Sequence, residues 1–222
     1  MPQKAHGFYW PDGFDVEAAA RFVRTGDVGK SVHFCSAYRS VVQAGGHIGV
    51  WPKYLAKRFE KVFTFEPHWA NYLCLCLNVP ELNVSKYQLA LSERLGMVHL
   101  AEIPVQACWY SHALHHIDLG NSTNKKSRHA ESLPVGTMRI DDLGLEDCDL
   151  IILDVEGAEL SALRGAVQTI HRSSPVLHLE VYKDTINRNL GEDTEEDLYA
   201  FLTELGYEQV DQLKRDKIYV RK

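Results

Sequence analysis

The sequence predicts an α/β fold that opens with a nucleotide-binding βαβ unit, and three observations carry that reading. The strand formers Val41 and Val42 run into a glycine-rich turn, Gln43-Ala44-Gly45-Gly46-His47-Ile48-Gly49. A second apolar strand, Val62-Phe63-Thr64-Phe65, ends in Glu66, 17 residues after Gly49. Further on, Leu150 to Leu153 is a continuous apolar run, the pattern of a parallel strand covered on both faces.

The elements follow in order. Residues 1–13 are aromatic and turn-rich (Phe8, Tyr9, Trp10, Pro11, Gly13) and predict an arm packed on the domain. Asp15 to Val23 reads as a short helix with Val16, Ala20 and Val23 on one face. After the glycine turn, Trp51, Leu55 and Phe59 keep helical spacing, with Pro52 tolerated in the first turn. Trp69 to Asn78 reads as a helix and Ser85 to Leu91 as a third strand. Beyond the apolar run at 150, Leu160, Leu163, Val167 and Ile170 hold one helical face, and Val176 to Val181 reads as a strand. Thr194 is a candidate N-cap for a helix carrying Leu198, Phe201, Leu202 and Leu205, which Gly206 ends. The tail YEQV…KIYV reads as a hairpin around Asp211–Asp216. One segment breaks the alternation: Gln106 to Pro134 is polar, rich in His, Ser and Asn, and reads as a long loop insertion. The expected organisation is an arm and helix over 1–39 and one α/β domain over 40–222.

Composition narrows the class of function. The 222 residues carry 24 Lys+Arg against 30 Asp+Glu, a formal charge of −6, which disfavours a nucleic-acid or anionic-membrane binder working by bulk charge. Five cysteines (35, 74, 76, 108, 148) include no C-x-x-C pair, so buried thiols in a reducing cytoplasm fit better than a disulfide framework. No apolar run reaches membrane length.

The glycine spacing carries ligand information. A dinucleotide fingerprint beginning at Gly45 needs glycine at 47 and 50, which hold His47 and Val50, so G-x-G-x-x-G fails and G-x-x-x-G remains. A carboxylate at the end of the second strand can accept hydrogen bonds from both hydroxyls of a ribose. An adenosine ligand without a pyrophosphate fits this better than NAD. Taken singly, a glycine after a strand is an ordinary turn and Glu66 an ordinary strand-end acid; the ordered combination is what points to a site.

The runs VVQAGGHIGVWPKYLAKRF, VFTFEPHWANYLCLCLNV, ALSER and above all IDDLGLEDCDLIILDVEGAELSALRGA resemble the FkbM-type S-adenosylmethionine-dependent methyltransferases. The resemblance spans roughly Val41 to Tyr207 and is weakest across 106–134. It implies a Rossmann-like class I methyltransferase fold: a seven-stranded, mostly parallel sheet whose last strand is antiparallel, with helices on both faces. It implies S-adenosyl-L-methionine as cofactor, with Gly45, Gly46 and His47 at its methionine end, Glu66 on the ribose, and Gln88 and Leu89 edging the adenine. Asp154 falls where the family places an acid beside the methyl group, and Glu180 points to the same mouth. The chain departs from the family at Gln43, where an acid is usual, and at His47, which replaces a common Asn. Gln43 can still accept from the cofactor's ammonium, but losing a charge-assisted bond there costs on the order of 1–2 kcal/mol.

Ligands of open α/β sheets lie beyond the carboxyl ends of the strands, where Glu66, Asp154 and Glu180 converge. An oxygen acceptor for the methyl group needs a base. The candidates are Asp154, Glu156 and Glu180, or a histidine of the SHALHH run, His112, His115 or His116, of which His116 is taken with Asp154 and Glu180 as the catalytic set. Glu156 could equally open the next helix and favour its dipole. Asp154, Glu180 and a loop histidine lack the spacing of a metal motif, so a divalent metal is possible but not favoured. His178, alternating with Leu177 and Leu179, reads as a hydrogen-bonded core or rim residue. The expectation is O-methylation of a hydroxyl on a small molecule or glycan. A cofactor-binding but inactive interaction module is the alternative, and a nicotinamide-dependent oxidoreductase a distant third.

Overall fold

The computed structural model describes residues 1–15, 26–101, 116–118, 132–181 and 194–222. The chain opens as a hairpin of β1 (Gln3–Ala5) and β2 (Phe8–Trp10), turned by His6 and Gly7 at φ 50° and 81°. Positive φ at both central residues matches the twist of the flanking strands. Trp10 is 1% exposed and packs with Ile48 and Cys74. Asn78 ties the hairpin down: its Oδ1 accepts from the Tyr9 amide at 2.7 Å, and its Nδ2 donates to the Tyr9 and Ile48 carbonyls at 2.8 Å each. The expected helix over Asp15–Val23 lies, after Asp15, outside the described residues.

Helix α1 (Gly26–His33) leads to β3 (Ser40–Ala44), α2 (Val50–Leu55), β4 (Lys61–Phe65), α3 (Trp69–Asn78) and β5 (Val84–Tyr87). Helix α2 is shorter than its apolar spacing predicts, ending at Leu55, although Phe59 is still buried beyond it.

The strand expected over Ser85–Leu91 is two strands. After β5 the chain turns at Gln88-Leu89, and β6 (Ala90–Leu91) leaves the main sheet for a second one. That sheet, in the order β6-β9-β7-β8, contains β7 (Gly96–Ala101), β8 (His116–Asp118) and β9 (Ser132–Met138). The segment read as a loop from Gln106 to Pro134 therefore holds a strand at 116–118 and the start of another at 132. The rest of it, with His112 and His115, lies outside the described residues.

A 3₁₀ turn (Ile140–Leu143) precedes β10 (Leu150–Leu153). The single helix expected through Ile170 is broken into α4 (Glu159–Arg164) and α5 (Val167–Ser173). At the break, a Cβ on Gly165 would lie 2.2 Å from the Ser92 carbonyl, so only a bare backbone allows that approach. Strand β11 (Val176–Glu180), helix α6 (Glu195–Glu204), β12 (Tyr207–Leu213) and β13 (Asp216–Arg221) complete the chain. Thr194 caps α6 as predicted: its hydroxyl accepts from the Asp197 amide at 3.2 Å, and the Asp197 carboxylate accepts from the Thr194 amide at 2.7 Å.

The seven-stranded sheet runs β12-β13-β11-β10-β3-β4-β5. Neighbouring pairs among β11, β10, β3, β4 and β5 are parallel, and β13 enters antiparallel between β11 and β12. One face packs Val41, Val62, Leu150 and Ile152 against α1, α2 and α3; the other packs Val42, Ile151, Leu153 and Leu177 against α4, α5 and α6. The carboxyl ends of the five parallel strands share one rim, and the site lies there.

Candidate active site

The glycine turn leaves β3 at that rim. Gly45, at φ 81°, and Gly46 both donate to the Phe65 carbonyl, at 3.1 and 2.9 Å. A Cβ on Gly45 would stand 2.0 Å from the Asp154 carbonyl oxygen, and one on Gly46 2.8 Å from Thr64 Oγ1. The turn is thus a bare-backbone cradle set between the ends of β4 and β10. His47, at φ 46°, donates its amide to Glu66 Oε2 at 2.7 Å, and the His68 amide donates to Oε1 at 3.0 Å. Burial pushes the Glu66 carboxyl up to about 7, against the pull of those two amides and of Asn71. Two backbone amides and the Asn71 side chain already donate to this carboxylate, which holds it rigidly at the end of β4.

Gln43 lies one layer beneath the cradle and is fully buried. Its Oε1 accepts from the Thr64 hydroxyl at 2.6 Å and its Nε2 donates to the Ala44 carbonyl at 3.0 Å. Both amide atoms have interior partners, so its observed contacts support the turn from below. Gln88 is exposed and Leu89 half-buried where the chain leaves β5, beside Tyr87, whose ring stacks on Phe65 at 4.8 Å.

At the ends of β10 and β11 three carboxylates converge. Asp154, Glu156 and Glu180 each present an oxygen, and these atoms all lie within 4.8 Å of one another. Among the described residues they form the one cluster with the spacing for a metal ion, at the acids where the sequence left a divalent metal possible but not favoured. Glu156 reaches the cluster through a left-handed backbone, φ 53°, rather than by opening a helix. Burial and the neighbouring Glu180, Glu156 and Asp216 hold the Asp154 carboxyl well above the usual range. Burial, Glu180 and Glu159 push Glu156 up to about 8, with Arg215 pulling the other way. The second sheet steadies the loop carrying these acids, since Ala90, Leu100 and Val135 pack against Ala158 and Val155.

Two acids at this rim escaped sequence reasoning. Glu159, 1% exposed, receives the Val155 and Gly157 amides on Oε1, each at 3.2 Å, while Oε2 has no hydrogen-bond partner among the described residues. Burial pushes it up to about 7. The run D-x-E-x-x-E directly after an apolar strand was its available signal. Asp216 faces Glu180 across the β11–β13 pairing, which no local pattern encodes. His178, 1% exposed, bridges Ser31 Oγ at 3.0 Å and Asp216 Oδ1 at 3.2 Å, the second an ion-pair distance without hydrogen-bond alignment. His116 lies on β8, opposite Ala101 of β7; its backbone pairing is its described feature.

A family model described as "Methyltransferase FkbM domain" matches residues 43–208, from the glycine turn into β12. The chain belongs to the FkbM methyltransferase family. This FkbM domain is 25% identical over 142 residues to "Methyltransferase 1" of Beauveria bassiana (strain ARSEF 2860), covering 56% of this chain and 57% of that protein. The crystal structure of Methyltransferase FkbM from Methylobacillus flagellatus KT superposes with a TM-score of 0.51 at 19% identity, over 82% of this chain and 43% of the other. Magnesium protoporphyrin IX methyltransferase (ChlM) from Synechocystis PCC 6803 with bound SAM is more distant, with a TM-score of 0.46, 11% identity, and coverage of 93% and 81%. The FkbM domain thus has the Rossmann-like class I methyltransferase fold, and it spans about half the length of the first two relatives.

Proposed function

We propose that this FkbM domain, residues 40–222 with 1–39 as a packed arm, is an S-adenosyl-L-methionine-dependent O-methyltransferase acting on a hydroxyl of a small molecule or glycan. The observation that carries this reading is the contact of the glycine cradle with Asp154, where a Cβ on Gly45 would stand 2.0 Å from the Asp154 carbonyl. Whatever the cradle holds lies beside the carboxylate cluster. When bound, the cofactor supplies an electrophilic methyl group on a sulfonium.

The chain's own residues do the rest. Gly45, Gly46 and His47 receive the methionine end, with Gln43 bracing the turn from below. Glu66, held by the His47 and His68 amides and by Asn71, lies where the ribose is received, and Gln88 and Leu89 edge the adenine beside Tyr87. Asp154 and Glu180 orient the acceptor and take its proton, with His116 as a further candidate base from the second sheet. An acidic rim disfavours phosphate-rich acceptors, which argues against nucleic acid. The described cysteines 35, 74, 76 and 148 are free thiols, in keeping with a cytoplasmic location. No helix among the described residues is long and apolar enough to cross a membrane.

Titration calorimetry with S-adenosylmethionine and S-adenosylhomocysteine tests the cofactor, and label transfer from the methyl group to a panel of hydroxyl compounds tests the reaction. Asp154→Ala and Glu180→Ala should keep cofactor affinity within a few-fold and lose turnover. Full turnover in both variants would remove them from the catalytic set, and a shift with NADH alone would overturn the cofactor.

A further inference from the structure

Three carboxylates whose oxygens lie within 4.8 Å of one another cannot all ionise without repulsion. Two more acids face them, Glu159 from α4 and Asp216 from β13. Glu159 is buried with Oε2 lacking a partner among the described residues, and it lies close enough to Glu156 to raise that carboxyl. Among the described residues, the basic groups near this set are Arg215, on the β12–β13 turn, and His178, which reaches Asp216 from β11. Among the described residues the group is short of positive charge, and burial with the neighbouring carboxyls keeps Asp154 and Glu156 raised. The glycine cradle stands directly against the Asp154 backbone, so a cation seated there meets this group.

We propose that the Asp154–Glu156–Glu180 group is a base switched on by the charge of the methyl donor: it releases a proton when the sulfonium enters and takes the acceptor's hydroxyl proton when that charge disappears. This rests on the reading of the domain as an O-methyltransferase. In the transfer the acceptor oxygen forms its bond to the methyl carbon as the carbon–sulfur bond breaks. Sulfur keeps the electron pair and becomes neutral, and the hydroxyl proton moves to one carboxylate. The summed charge of cluster and sulfur is the same before and after. A base exists while the donor is loaded, and the thioether product faces a reprotonated cluster.

The test needs no acceptor. Calorimetry at pH 7 in two buffers of different ionisation enthalpy counts protons for S-adenosylmethionine and for S-adenosylhomocysteine, which differ by the methyl group and its charge. Both ligands share the ribose that meets Glu66, so the difference between them reports the cluster: about one more proton should leave with the sulfonium than with the thioether, and affinity for the sulfonium should rise more steeply than that for the thioether, by up to about tenfold per pH unit, between about pH 6 and 8. Glu156→Gln with Glu180→Gln should abolish the extra proton release with the sulfonium while S-adenosylhomocysteine still binds. If the double variant fails to fold, the wild-type pH profiles decide by themselves. Equal proton counts and parallel profiles for the two ligands overturn the inference and leave the O-methyltransferase reading standing; no binding of either overturns both.

Discussion

Glycine is required at position 45 on two separate grounds, a φ of 81° and a Cβ position 2.0 Å from the Asp154 carbonyl. Gly45→Ala should therefore destabilise the domain by on the order of 3 kcal/mol, read from urea denaturation, and abolish the thermal shift with S-adenosylhomocysteine. An unchanged midpoint would mean that the turn relaxes freely. Glycines 45 and 46, Glu66, Asp154 and Glu180 were legible because each lies at or next to a strand's carboxyl end, where position in sequence fixes position at the rim. The gathering of five acids was not legible. Glu156, a candidate base in the sequence, reaches the group through a left-handed residue, Glu159 comes from the next helix, and Asp216 from a hairpin that begins only at Tyr207. Gln43 is similar: its spacing says rim, while the bonds to Thr64 and Ala44 draw its amide inward.

Elements with their own start and stop signals were read with little error. Trp69–Asn78 and Leu150–Leu153 have the bounds the apolar pattern gave, and α6 begins at its capping Thr194 and ends before Gly206 at φ 78°. Thr194→Ala removes the hydroxyl that accepts from the Asp197 amide, and should cost about 1 kcal/mol of stability with faster amide exchange confined to α6. Elements bounded by a tertiary contact were misread instead. The break between α4 and α5 follows from the Gly165–Ser92 approach, and the split of β5 from β6 follows from the pairing of Ala90 and Leu91 with β9. Neither contact leaves a trace in local periodicity.

For the molecule as a whole, the raised carboxyls at the rim set how stability depends on pH. Glu66 and Glu159 at about 7 and Glu156 at about 8 hold protons that the unfolded chain has already lost. The folded state binds more protons from about pH 4.5 to 8, so stability falls as pH rises through that window. Without ligand, the melting temperature should drop by on the order of 10–20 °C from pH 5.5 to 8 in scanning calorimetry, and Glu156→Gln should flatten part of the slope. A melting temperature that climbs over this range would show that the rim is open to solvent. At this scale the doubly wound sheet was legible from its alternation, whereas the second sheet was not, because its strands pair across the polar stretch that reads as loop.

The place of β13 in the sheet has a consequence for how the domain assembles. It follows β12 in the chain, yet it lies between β11 and β12, and β12 joins the sheet through it. The five parallel strands can pair as they leave the ribosome, but the edge of β11 beside Glu180 has to wait for β13. Asp216 arrives with that same strand. The rim beside Glu180 is therefore complete only once β13 has paired, and a nascent chain stopped short of β13 presents an open β11 edge there.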